Sequence, residues 1–200
     1  MVKAELSRTR QRTRTRLIES TLALMETRGF AAATLDDIAA YSGVTKGAIY
    51  SNYRSKGELL WDAARGKQLN LRPQLRPEAS TDELAAALAH AVMALIPQAV
   101  REAEFHRELA AYVRTDPELQ AREAAEQTAL FDSWADQLEV AFGNRLAITA
   151  RQMVLAVQAI SRGFLAQAAV SPEEITEAVV TAAFKALVGG ATGSGSSRQS

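Results

Sequence analysis

The stretch TLDDIAAYSGVTKGAIYSNY, residues 34–53, constrains this chain more than any other. It reads as two short helices around a tight turn. Ile38 and Ala39 face inward on the first helix, and the small Ala39 lets the second pass close. Gly43 follows four residues later, where the chain reverses and a positive φ is needed. Val44 and Ile49 complete a small core. A turn of about four residues between two such helices is helix-turn-helix spacing. The second helix starts at a Thr45 cap, and its first-turn amides carry partial positive charge toward an anion. Gly47 has no side chain to hold a DNA backbone or base edge away. Lys46 supplies charge, and Tyr50 supplies a flat surface and a hydroxyl.

The rest of the chain also reads as helix. Thr34 has an acid three residues on, and SKGE at Ser55, STDE at Ser80 and SPEE at Ser171 are capping-box patterns. Asp116 precedes a proline at a first helical position, and Asn144 is a candidate cap for the segment after FGN. Apolar residues recur at three and four, as in Ile18, Leu22 and Met25, or Met153, Val157, Ile160 and Phe164. No alternation of β-branched residues signals a strand. The predicted fold is all-α, with about nine helices near 7–28, 35–41, 46–52, 56–70, 81–96, 98–114, 117–142, 145–169 and 172–188.

Charge divides the chain. Its net charge is zero, but residues 1–76 hold 14 Lys/Arg against 7 Asp/Glu, whereas residues 77–200 hold 9 against 16. A front half of +7 suits a polyanion and a back half of −7 avoids one. The alternating Arg8, Arg10, Arg12, Arg14 and Arg16 read as an arm for phosphate or minor groove, or as a solvated helix end. No apolar run reaches membrane-spanning length, and the basic N-terminus lacks the apolar stretch of a secretory signal, so a cytoplasmic protein is expected.

Residues 10 to 62 resemble the DNA-binding segment of the TetR family of transcriptional regulators. The pattern T-x-x-x-I-A-x-x-[SA]-G-V-[ST]-[KR]-G-[AT]-[IL]-Y-x-x-[FY]-x-[SN]-K-x-x-L is carried by TLDDIAAYSGVTKGAIYSNYRSKGELL. The resemblance implies a homodimer with a variable helical ligand-binding domain behind the reading head, and a double-stranded DNA operator as partner. It places Thr34 at a phosphate-contacting cap and Thr45, Lys46, Gly47 and Tyr50 on the recognition helix. Tyr53 takes the aromatic position after that helix, and Lys56 the phosphate-binding position at the start of the fourth. Asn52 stands where many members have histidine, and an asparagine can also donate to phosphate. The expected division is a DNA-binding domain over 1–55, a ligand-binding and dimerisation domain over 56–188, and a disordered Gly/Ser-rich tail over 189–200.

Residues 77–200 fit the second domain in length and helical character. Met93, Phe105, Tyr112, Phe131, Trp134, Gln158 and Arg162 are candidates for an effector pocket, against the alternative that most are ordinary core. Trp134 and Tyr112 join large rings to polar handles, which suits a mostly apolar pocket. Val154, Val157 and Ile160, with Ile175, Val179, Phe184 and Leu187, are candidates for a dimer seam. The expected effector is small and largely apolar or aromatic, and repression is the expected output. No cofactor, metal or catalysis is expected. His90 and His106 lie sixteen apart, there is no cysteine, and no nucleophile elbow, phosphate loop or dinucleotide fingerprint occurs. The alternatives are a helical adaptor and a constitutive DNA-binding protein without an inducer.

Overall fold

Five helices of this chain begin where a hydroxyl accepts from the amide three residues on. Thr34 accepts from Asp37 at 3.1 Å, Thr45 from Ala48 at 3.2 Å, Ser55 from Glu58 at 3.1 Å, Ser80 from Glu83 at 3.1 Å and Thr149 from Gln152 at 3.2 Å. Each bond satisfies an amide that the helix cannot. The computed structural model describes residues 2–30, 32–69, 71, 73, 79–146 and 148–189. Among them are nine α-helices and no strand. They are α1 (Val2–Arg28), α2 (Leu35–Ser42), α3 (Lys46–Asn52), α4 (Lys56–Ala64), α5 (Thr81–Arg101), α6 (Ala103–Val113), α7 (Pro117–Phe142), α8 (Ala150–Ala168) and α9 (Glu177–Gly189).

The described chain forms two compact units, one of Met1–Gln68 with Glu104–Glu123, the other of Leu69–Ala103 with Ala124–Ser200. In the first, α1, α2, α3 and α4 close around Leu17, Leu24, Phe30, Ile38, Ile49, Leu59, Leu60 and Trp61, all 3% exposed or less. Every residue of α4 from Leu59 to Ala64 is buried, which is why α4 belongs with this head. Leu109, Val113 and Leu119 join the same core from α6 and the start of α7.

In the second unit α5 packs against α8 and α9. Leu84, Leu88 and Val92 recur along one face of α5, and meet a core that includes Met153, Val154 and Val157 of α8 and Val180, Phe184 and Val188 of α9. By length and composition α5 is apolar enough to cross a membrane, and its apolar stripe is the centre of this core.

Five expectations shift. Ser55 caps α4, but Glu58 reaches back to the Arg54 amide at 2.7 Å, so the reciprocal half of the box is displaced by one residue. Ser171 caps no α-helix. A 3-10 turn over Pro172–Glu174 carries Ile175 into the core, and α9 starts only at Glu177, because burying an isoleucine outweighs one cap bond. Asn144 lies in the 3-10 turn Gly143–Arg145, and Thr149 takes the capping role with Gln152. Pro97 does not end its helix. α5 continues to Arg101 and keeps Ala99 in the core. Val154, Val157 and Phe184, read as dimer seam, are 2% exposed or less within their own chain, whereas Leu155 and Val179 are 48% and 47% exposed. The tail beyond Gly189 lies outside the described residues, as do residues 72 and 74–78.

Candidate nucleic-acid interface

The turn between α2 and α3 is set by Gly43, with φ 62° and ψ 28°, the left-handed conformation that closes a helix. Its N–H donates to the Ala39 carbonyl, and Val44 donates to the same oxygen at 3.2 Å. Arg16 of α1 donates to the neighbouring Ser42 carbonyl at 2.5 Å, and a Cβ on residue 43 would stand 3.1 Å from that guanidinium. Gly43→Ala therefore meets both a strained φ and a crowded wall. It is expected to lower head stability by about 1–2 kcal/mol, read as a fall in the urea midpoint.

The turn presents α3 with one face in and one face out. Ile49 is 1% exposed and Tyr53, which caps the helix end, is 3% exposed. Thr45, Lys46, Gly47 and Tyr50 are exposed, and 46, 47 and 50 share a face at helical spacing. Tyr50 stands 59% exposed, an unusual setting for an aromatic ring. Around Gly47 a Cβ would meet nothing nearer than Thr45 Oγ1 at 3.9 Å, so the space outside this turn is open. Lys46 Nζ lies 2.6 Å from Asp36, whose hydrogen bond and charge raise the lysine pKa above its ordinary value.

The other predicted residues divide. Thr34 is exposed and closes a full capping box, its amide donating to Asp37 at 3.3 Å and its hydroxyl lying 2.5 Å from the same carboxylate. That hydroxyl, the Thr34 amide and the Arg28 guanidinium at 2.8 Å hold the Asp37 pKa below the usual carboxylate range. Asn52 is turned inward. Its amide nitrogen donates to the Ala48 carbonyl at 2.8 Å and lies 3.3 Å from Ser51 Oγ, so its donors are engaged on α3 itself. Tyr53 is a core residue of the head, and its hydroxyl donates to Asp62 at 2.9 Å. Lys56 is the first residue of α4 and half-buried. Arg10 and Arg14 of α1 also turn onto the head, donating to the Ser51 carbonyl at 3.2 Å and to Asp62 at 2.8 Å.

Sequence reasoning passed over two residues here. Tyr41 of α2 is 65% exposed. Spacing gave no signal for it, since a residue three from the buried Ile38 lies on the same side of a helix. Asp62 is buried, and its signal was a lone acid inside the apolar run LLWDAA.

The pocket candidates also divide. Trp134 lines a small apolar cavity of the second unit with Leu84, Leu88, Leu138, Met153, Val154 and Val157, and Gln137 is the polar side chain beside it. The cavity has about 20 Å³ of free space, where a water needs roughly 10–15 Å³ by the same measure. Met93 and Phe131 pack in the surrounding core, and the Arg151 guanidinium lies 5.2 Å above the Phe131 ring. Gln158 is half-buried on α8. Arg162 is exposed, and its guanidinium faces the Gln127 side-chain amide. Phe105 and Tyr112 belong to the head unit, where their rings stand 6.0 and 5.1 Å from Phe30. Burial, then the Asp116 charge, raises the Tyr112 phenol pKa.

Residues 17–63 match the model of the bacterial regulatory proteins of the tetR family, the segment that holds α2, α3 and most of α4 with its partner face on α1. That segment is a tetR-family segment. The chain is 35% identical over 86 residues to SrpR, an HTH-type transcriptional regulator of Pseudomonas putida. To TtgW, an uncharacterized HTH-type transcriptional regulator also of Pseudomonas putida, it is 36% identical over 84 residues. These matches take in 41% and 40% of this chain, and span 40% of SrpR and 63% of TtgW. Likeness of fold extends further. SCO7518 of Streptomyces coelicolor A3(2) superimposes with a TM-score of 0.65 at 23% identity, over 88% of this chain and 98% of its own. SmeT, solved in complex with triclosan, superimposes with a TM-score of 0.54 at 20% identity, over 87% and 90%.

Proposed function

We propose that this protein is a TetR-family DNA-binding transcriptional repressor that acts in the cytoplasm as a homodimer on a near-palindromic operator. The observation that carries this reading is the two-sided α3. Ile49 and Tyr53 lock it from behind, while Thr45, Lys46, Gly47 and Tyr50 stand out in a face with open space beside the glycine. Buried anchors fix the angle at which the outer residues meet a groove, and a two-fold dimer presents two such helices to two half-sites. Exposed Leu155 and Val179 support a seam between copies on α8 and α9. Catalysis has no place in this reading.

The operator is obtained by selection from a random-sequence duplex library. Tyr50→Ala and Lys46→Ala are expected to lower affinity for the selected duplex about tenfold more than for random duplex. Lys56→Ala should weaken both equally and reduce the slope of log affinity against log salt by about one. If the wild-type chain enriches no sequence, the repressor reading fails, and if the two groups of variants behave alike, the division into base-facing and phosphate-facing residues fails.

The second unit supports a small, neutral, mostly apolar or aromatic effector. Among the described residues, the Trp134 cavity offers apolar walls and one amide, Gln137, but no cation for an anionic ligand. Its present free space is far below the ~300–1,000 Å³ of a ligand site, so binding must open it. An effector that turns the operator-bound population over needs about 10⁴-fold preference for the released state. SmeT in its triclosan complex supports this reading, as a protein of the same fold that holds a compact aromatic molecule. Thermal shift with triclosan and other neutral aromatic compounds, followed by duplex release, tests this. A panel that neither stabilises the protein nor releases DNA leaves the constitutive repressor as the reading.

A further inference from the structure

Asp62 is the most heavily bonded buried charge in the head, and nothing in DNA binding by itself calls for it. It sits on α4 in an otherwise apolar run and is 8% exposed. One carboxylate oxygen accepts from Arg14 Nε at 3.1 Å, from Arg14 Nη2 at 2.8 Å and from the Tyr53 hydroxyl at 2.9 Å. Arg65 lies 3.9 Å from the other oxygen. A carboxylate taken from water is costly unless it is paired and hydrogen-bonded, so these partners define where it can sit. They come from α1, from Arg65, which closes α4, and from the residue that caps α3.

We propose that Asp62 positions the recognition helix, and that Arg14 and Tyr53 serve this anchor rather than touching DNA; this rests on the reading of α3 as the DNA-reading helix. With seven residues, α3 is far too short to hold its own shape or angle in water. Ile49 pins its middle. Its end is pinned by Tyr53, whose N–H donates to the Ile49 carbonyl at 2.9 Å while its side chain is buried. A phenylalanine would fill the same volume without direction. The phenol adds a directed bond to a fixed carboxylate, and so sets the rotation of the helix end. The Arg14 guanidinium lies 5.7 Å from the Tyr53 ring centroid and completes the clamp. Arg10, one turn earlier on α1, donates to the Ser51 carbonyl of the same helix end at 3.2 Å. Arg10 and Arg14 of α1 thus hold the end of α3, and an acid buried in α4 makes any shift of α4 a shift of that end.

The test uses the full chain with two readouts, amide hydrogen exchange without DNA and binding to the selected and random duplexes. Asp62→Asn places an amide N–H₂ or a weaker acceptor before Arg14, and Tyr53→Phe removes only the hydroxyl. Both are expected to speed exchange across Ala48–Tyr53 about tenfold, leave α8 and α9 unchanged, and cut the preference for selected over random duplex about tenfold. Arg14→Gln should do the same without altering the salt slope. The proposal is overturned if α3 exchange stays as in the wild type, if faster exchange comes with unchanged duplex preference, or if Arg14→Gln lowers the salt slope by about one, the mark of a phosphate contact. Should Asp62→Asn fail to fold, Tyr53→Phe carries both readings. Should the wild-type chain select no duplex, the DNA-binding reading fails, and exchange alone decides whether Asp62 holds the helix.

Discussion

Gly47→Glu is expected to leave the head at least as stable as the wild type while weakening binding to the selected duplex at least about a hundredfold. The two effects have opposite signs because they arise in different places. In the free protein residue 47 lies in the first turn of α3, exposed, with open space where a side chain would go. Replacing a helical glycine removes backbone entropy from the unfolded chain and gains up to about 0.5–1 kcal/mol. A carboxylate near a helix N-terminus adds a little more. Against DNA the same side chain inserts bulk and a negative charge between Lys46 and Tyr50, on the face proposed to enter a groove. Like charges brought together at an interface cost several kcal/mol. Melting temperature and fluorescence anisotropy on one protein preparation settle the matter. Unchanged duplex binding would show that this face of α3 does not meet DNA.

Trp61→Ala is expected to cost the head about 3–5 kcal/mol, on the scale of a whole small domain's stability of roughly 5–15 kcal/mol. Trp61 is the largest fully buried side chain of the protein as described, 1% exposed on α4 among Leu59, Leu60 and the residues that back α2 and α3. No neighbouring side chain can collapse into so large a gap without moving α4. Urea unfolding followed by circular dichroism should show a lower midpoint for the head, and duplex binding should fall with the folded fraction. Trp61→Phe, which refills most of the volume, should recover most of both. The two tryptophans report separately, since Trp134 lines the cavity of the other unit.

The helix-turn-helix was legible because its signals are local. A threonine before a helix needs only its own backbone to cap it, and Thr34 and Thr45 do so where the sequence predicts. The expected helices at 46–52 and 117–142 match α3 and α7 to the residue, since caps and a leading proline mark them. Gly43 takes the positive φ that its turn demands.

The misses share a different cause. Pro97 passes through its helix, and Ser171 yields its cap to a turn that buries Ile175, because core packing outweighs a bond or two of local preference. Whether an aromatic faces water or the core is likewise not written at its own position. Tyr50 and Tyr53 lie three residues apart on one short segment, yet one is 59% exposed and the other 3%. The sequence by itself determined that helices form here, where most begin, and that a glycine-bearing turn presents one of them. Only the tertiary structure decided which polar groups face outward and which are consumed within. Asp62, Arg14, Asn52 and Tyr53 find their partners up to 48 residues away or on their own helix, and such pairing depends on how α1 and α4 pack rather than on any spacing along the chain.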